Sequence, residues 1–196
     1  MKKSNVLATL LILLIITSSF SQRETDHWYF GNKAAVKFND NQRPAVLTNS
    51  NMNTPYGSAT ISDKNGNLLF YTSGATVFNA NHLTMENGVL LASDNEVLQT
   101  SIIIPKPNSP NIYYLITLKD KNDPPPIGDF IEPGLYYSVI DITKNDGLGE
   151  VTKKNLTITD LVSEKLTAVH AKDGKSIDNS DAREGFCNTS GLSVRV

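Results

Sequence analysis

From Gln22 onward, short runs of Val, Ile, Tyr and Phe alternate with clusters of Asn, Gly, Ser, Thr and Asp, and no long stretch repeats its apolar residues at helical spacing. The pattern predicts an all-β chain of short strands. The clearest unit is SATISDKNGNLLFYTSG. Residues 58–62 form one arm, Asp63-Lys64-Asn65-Gly66 the turn and residues 67–72 the return arm. The Asn-Gly pair suits the positive φ angles that tight hairpins need. ATVFNANHLTM then adds a third strand over 75–78, turned by Asn79-Ala80-Asn81.

The same order returns further on. In TSIIIPKPNSPNIYYLITL, arms over 101–104 and 112–118 flank a Pro-rich turn at 105–110, and GLYYSVIDI supplies a third strand over 135–142. Ser58 falls on Ser101, and Phe70-Tyr71 falls on Tyr113-Tyr114, both at an offset of 43 residues. A multi-stranded repeat of about 40–45 residues is the signature of a β-propeller blade. EKLTAVHAKDGKSI opens a third copy, with an arm over 166–170 and a turn at Asp173-Gly174; Ile177 could begin the return arm, but the residues after it replace that arm. The expected fold is a partial β-propeller of WD-like blades of antiparallel strands over 22–177. It holds about two complete blades plus the start of a third. Two stretches lengthen the spacing. KDKNDPPPIGDFIEP, with prolines at 124–126, is excluded from a central strand. TKNDGLGEVTKKN adds a turn with Asn145-Asp146-Gly147 at its tip. Upstream, Trp28-Tyr29-Phe30 and residues 34–38 form a strand pair, of the kind that completes the last blade of a closed ring.

Residues 1–21 read differently. Lys2 and Lys3 precede an apolar stretch over 6–16, and small residues Ser19 and Ser21 stand at −3 and −1 of a cut before Gln22. That is a secretory signal peptide cleaved between Ser21 and Gln22. The apolar run falls short of the roughly 20 residues that a spanning helix needs. No Cys follows it, which argues against a lipid anchor. The chain is therefore expected to be exported through the inner membrane, with no membrane attachment after cleavage. It would be periplasmic, or secreted to the cell surface if the full-length form carries a sorting domain. The net charge of −2 comes with no basic patch, so no nucleic-acid partner is expected. One cysteine, Cys187, permits no internal disulfide, and stability must come from packing.

Several fragments resemble chemistry without completing it. Gly174-Lys175-Ser176 ends like a phosphate loop, but Val169 stands where that loop needs its first Gly. Gly147-Leu148-Gly149 follows a strand, yet Thr152 replaces the third Gly of a dinucleotide motif. Ser62-Asp63-Lys64-Asn65-Gly66 loosely resembles the Asp-box of sialidase-like propellers, itself a structural turn. His27, His82 and His170 lack metal-ligand spacing. Glu96, Asp129, Glu132 and Glu164 are loop carboxylates that a glycosidase would need to pair about 5–10 Å apart. Asp120–Asp123 and Asn39–Asn41 are oxygen-rich, without a complete calcium spacing. No catalytic, cofactor or metal residue is assigned. The paired aromatics are expected to pack between blades, one of each pair per face, with a carbohydrate-binding platform as the alternative.

WYFGNKAAVKFN, SATISDKNGNLLFYTSGATVFNANHLTMENG, SIIIPKPNSPNIYYLITL, GLYYSVIDITKNDGLGEVTKKN and EKLTAVHAKDGKS together resemble the N-terminal propeller region of large secreted proteins of gliding bacteria. Proteins of that kind carry immunoglobulin-like or PKD-type modules and end in a sorting domain recognised by the type IX secretion system. The resemblance covers about residues 28–177. It implies a non-enzymatic binding, adhesion or scaffold role at the cell surface, linked to gliding motility, with an extracellular glycan or protein as partner. It also implies remaining blades in a full-length protein. A propeller-fold glycan hydrolase or lyase is the alternative, and a truncated chain without function is a third. Residues 178–196 match nothing upstream and are expected to be a divergent, disordered or non-native tail from a shifted reading frame. Two and a half blades cannot close a ring of about 4–8, so the leaderless chain should be marginally stable alone. A cooperative, monomeric thermal transition well above about 60 °C would overturn that expectation.

Overall fold

The computed structural model describes residues 23–38, 43–93, 98–120 and 131–160, together with the backbone of a strand pair at Val169–His170 and Ile177–Asp178. The expected leader with its Ser21–Gln22 cleavage site, residues 121–130 of the Pro-rich stretch over 119–133 and the tail beyond Asp178 lie outside these residues.

The described chain is all-β, with one 3-10 turn at Asn145–Gly147. It forms three open antiparallel sheets of three, three and four strands. The first holds β1 (His27–Phe30), β2 (Ala34–Lys37) and β3 (Ala45–Leu47). The second holds β4 (Ala59–Ser62), β5 (Leu68–Thr72) and β6 (Val77–Asn79). The third holds β7 (Ser101–Pro105), β8 (Ile112–Lys119), β9 (Gly134–Asp141) and β10 (Glu150–Thr159). Each sheet is a meander in chain order. A separate pair, β11 (Val169–His170) with β12 (Ile177–Asp178), aligns His170 with Ile177. The return arm read as lost is present in the described backbone over two residues, and Asp178, expected to begin the divergent tail, belongs to it, paired with Val169.

The paired aromatics explain how the sheets stack. Neighbouring strand residues face opposite ways. On β5, Phe70 turns toward the third sheet and meets Tyr113 edge-on at a centroid distance of 5.5 Å. Tyr71 turns toward the first sheet and stacks on Tyr29 at 4.2 Å. Phe70 joins Val77, Met85, Leu91, Tyr113, Leu115, Ile140 and Val151 in the seam between the second and third sheets. Tyr71 joins Tyr29, Ala35 and Met52 in the seam between the first and second. A third cluster, with Ile104, Tyr114, Ile116, Leu118 and Leu135, occupies the far face of the third sheet.

Two elements differ from the sequence reading. The N-terminal strand pair gains β3 and forms a sheet of its own, packed on the second sheet, so the stack is one sheet longer than the two copies counted from the repeat. β3 is three residues long and mostly exposed, which leaves no alternation to detect. The stretch after Asn145-Asp146-Gly147 was expected to be part of a turn. It instead forms β10, a ten-residue strand paired with β9. Three register shifts break its alternation. Its placement depends on distant partners. Asn155 Nδ2 donates to the Leu90 carbonyl at 3.0 Å, the Ala92 N–H donates to Asn155 Oδ1 at 2.8 Å, and Asn87 Nδ2 donates to the Val151 carbonyl at 2.7 Å.

The turn between β4 and β5 is organised by one carboxylate. Asp63 Oδ1 accepts from the N–H groups of Asn65 and Asn67, each at 2.8 Å, and Oδ2 accepts from Asn67 Nδ2 at 3.0 Å. This is an Asx-type turn. Gly66, at φ 82°, is left-handed, and a side chain there would collide with Asp26 Oδ2. Burial alone would raise the Asp63 carboxyl, but the bonds from Asn67 and Asn65 outweigh it and hold it below the ordinary value of 3.8. Its contribution to stability is then complete above that value and lost as pH falls through the lower folded one. Asp63→Ala should destabilise the chain by about 1 kcal/mol at neutral pH, read as a lower urea midpoint with an unchanged slope.

Candidate functional site

β1 and β4 are the free edges of their sheets and run side by side. No continuous ladder joins them. The Thr60 hydroxyl bridges the gap, accepting from the Tyr29 N–H at 3.0 Å and lying 3.4 Å from the Tyr29 carbonyl. The Ser62 N–H donates to the Glu24 carbonyl at 2.8 Å. Between the two edges opens a groove of about 480 Å³, lined by Trp28, Tyr29, Phe30, Ser58 and Thr60. Among the described residues, its walls are aromatic rings, backbone and hydroxyls, with no charged side chain.

Alternation along β1 sets the exposure. His27 and Tyr29 are buried, whereas Trp28 and Phe30 keep 53% and 42% of their surface exposed. Register extends this outer face across the sheet. Trp28 pairs with Val36, Phe30 with Ala34, and Val36 with Val46. Val46 is 79% exposed, and the Phe38 ring meets Trp28 edge-on at 5.0 Å. The result is a continuous aromatic and aliphatic surface. Large exposed apolar patches mark interaction sites far more often than isolated exposed residues do.

Behind this face lies a polar cluster. Tyr29 OH donates to Asn49 Oδ1 at 3.1 Å, and Asn49 Nδ2 lies 2.7 Å from His82 Nε2. The Asn51 N–H donates to Tyr71 OH at 3.2 Å, and Asn51 Nδ2 donates to the His82 carbonyl at 2.8 Å. His82 holds a left-handed φ of 64°, and its ring tilts over Tyr29 and Tyr71. Burial lowers its pKa, in keeping with a neutral ring accepting at Nε2. Burial raises both tyrosines despite their hydrogen bonds, which keeps the hydroxyls protonated.

His27 Nδ1 lies 3.1 Å from Ser62 Oγ, a spacing that a nucleophile and its base would show. Ser62 is fully buried, however, and His27 nearly so, which closes the pair to any substrate. Burial and the nearby Lys37 lower the His27 pKa, against an opposing pull from Asp26. A second group of buried hydroxyls includes Ser93 and Thr100, which have no side-chain hydrogen-bond partner. Both crowd against Gly74, where even a methyl group would collide with Ser93 Oγ.

Of the other residues singled out in the sequence, the described ones make local contacts. The Glu132 carbonyl accepts from Tyr136 OH at 2.6 Å, a local strand contact. Gly147 and Gly149 adopt φ 84° and 86° in the connection from β9 to β10, as a turn requires. Glu96, Asp129, Glu164, Asn39–Asn41, most of Asp120–Asp123, Gly174-Lys175-Ser176, Cys187 and the His170 side chain lie outside the described residues. Among the described residues, no group of three His, Cys, Asp or Glu side chains is placed to hold a metal ion. Sequence reasoning identified Trp28, Tyr29 and Phe30 but missed Val46, whose strand carries no alternation. Comparison with protein-family models, curated proteins and solved structures finds no match to this chain.

The buried His27 and half-buried His82 make acid stability a direct readout of this region. Both have folded pKa values below the ordinary 6.5. Below 6.5 the unfolded chain takes up protons that the folded chain resists, so stability is highest above that value and falls with pH below it. The urea midpoint should drop between about pH 7 and pH 5. His82→Gln should flatten that slope.

Proposed function

We propose that this chain is a non-enzymatic binding or adhesion module of an exported, surface-associated protein, built from propeller-type blades. The single observation that carries the reading is the uncharged aromatic groove and face at β1. Among the described residues it offers contact area and no reactive group, while the nearest pair with catalytic spacing, His27 and Ser62, is sealed inside. Aromatic rings bring large contact area at small entropic cost, which suits recognition.

The propeller reading has support from topology. Each sheet is a sequential meander that begins at an edge strand. Those first strands are neighbours in order, β1 beside β4 and β4 beside β7. Blades set around an axis place their innermost strands in this way. Sheets packed face to face through Tyr29–Tyr71 and Phe70–Tyr113 agree with it. The resemblance to secreted gliding-bacterial proteins adds the setting: export, type IX sorting of a longer parent protein, and a role at the surface in adhesion or motility.

A glycan array, paired with an assay for released product, separates a binding module from a glycan hydrolase or lyase. The expected outcome is retention of a surface glycan or protein without turnover, and Trp28→Ala should weaken retention at least about tenfold. Product release that survives Trp28→Ala would overturn the proposal.

A further inference from the structure

The seam between the second and third sheets changes character along its length. Around Phe70, Tyr113 and Leu115 it is apolar. Strand alternation carries the same two faces on to Thr72 of β5 and Thr117 of β8, and both are fully buried. Ser101 of β7 stands opposite Thr117 in register. Thr100 precedes it, its carbonyl accepting from the Leu118 N–H at 3.1 Å. Close approach of the second sheet completes this end of the seam. A Cβ added at Gly57 would lie 2.8 Å from Thr100 Oγ1. One added at Gly74 would lie 3.1 Å from the same atom and would collide with Ser93 Oγ. Gly74 therefore sits between the Ser93 and Thr100 hydroxyls, where no larger residue fits.

Ser93, Thr100, Ser101 and Thr117 are each more than nine-tenths buried. Among the described residues, none of their side-chain oxygens has a hydrogen-bond partner. Thr72 shows the contrast: its hydroxyl donates to the Thr76 carbonyl at 2.8 Å and accepts from the Gly74 N–H at 2.9 Å. Buried hydroxyls are costly when unpaired, and several at one end of a seam call for a common partner. We propose that these hydroxyls hold at least one ordered internal water, which joins the second and third sheets where their apolar contacts give out. A buried water takes about three hydrogen bonds, and each hydroxyl offers one donor and two acceptor positions. The donor set selects this ligand. Its oxygens are neutral, and among the described residues no group of three His, Cys, Asp or Glu side chains is placed to hold a metal ion. A calcium ion would want carboxylates. The site concerns how the sheets are joined and is independent of the Trp28 face.

Magnetic relaxation dispersion of solvent oxygen detects waters held inside a protein, and it applies to the full chain and its variants alike. Thr100→Val and Thr117→Val keep the side-chain shape and remove the hydroxyl. Together they should abolish the signal of at least one long-lived water. Each alone should raise the unfolding equilibrium constant at fixed urea at least about fivefold. Ser93→Ala offers the same comparison, should the double variant fail to fold. Valine variants as stable as the original chain, or more stable, would overturn the proposal, because removing a hydroxyl that bonds nothing relieves a cost. So would a loss of stability with no change in the water signal, which would mean direct bonds from hydroxyl to backbone. Stability that depends on whether sodium, potassium or choline is the cation in solution would also overturn it, by assigning the site to a cation.

Discussion

Two adjacent residues on one short strand hold the stack together. Phe70 and Tyr71 on β5 point to opposite faces, and each finds an aromatic partner on a different sheet. Aromatic pairs at these separations are worth about 0.5–1.5 kcal/mol beyond the area they bury. Their geometric consequence is larger. They lock the second sheet between its neighbours and set which face of each adjoining strand is inner. Once Tyr29 stacks on Tyr71, strand alternation leaves Trp28 and Phe30 no choice but the outer face.

The polar groups near that stack follow from the same constraint. Rings packed this tightly bring the Tyr29 and Tyr71 hydroxyls, His82, Asn49 and Asn51 into one region, where each needs partners. The network of amides, hydroxyls and imidazole satisfies most of them. It holds His82 in a left-handed backbone conformation, and burial keeps the ring neutral. The network is half exposed, and its buried ends at the Tyr29 and Tyr71 rings tie it to the core. His27 with Ser62 belongs to the same category: a pair with catalytic spacing whose setting makes it a structural contact. The polar chemistry of this region maintains the fold.

An open stack has two end faces, and the ends differ. The third sheet buries Ile104, Tyr114, Ile116 and Leu118 on its far side, whereas the first sheet presents Trp28, Phe30 and Val46 outward. A small exposed cluster would call for no explanation, since much of any protein surface is apolar. A face that repeats the composition of the internal seams is different, because the interaction that assembles the chain is then also available to a partner.

Local patterning was sufficient to locate eight of the strands that build the three sheets. The hairpin over β4 and β5 was legible because Asp63 and Gly66 encode their turn within a few residues. The opposed roles of Phe70 and Tyr71 were legible because strand periodicity is a property of the chain itself. β3 and β10 were not. β3 is too short and exposed to leave a pattern, and β10 breaks its own alternation at three register shifts while depending on Asn87, Leu90 and Ala92, more than sixty residues away. The site divides along the same line. The sequence alone placed Trp28, Tyr29 and Phe30 on a strand. Which of the three faces outward, and that Val46 lies in the same surface, depended on tertiary packing, because only the contact between Tyr29 and Tyr71 distinguishes the inner face from the outer one.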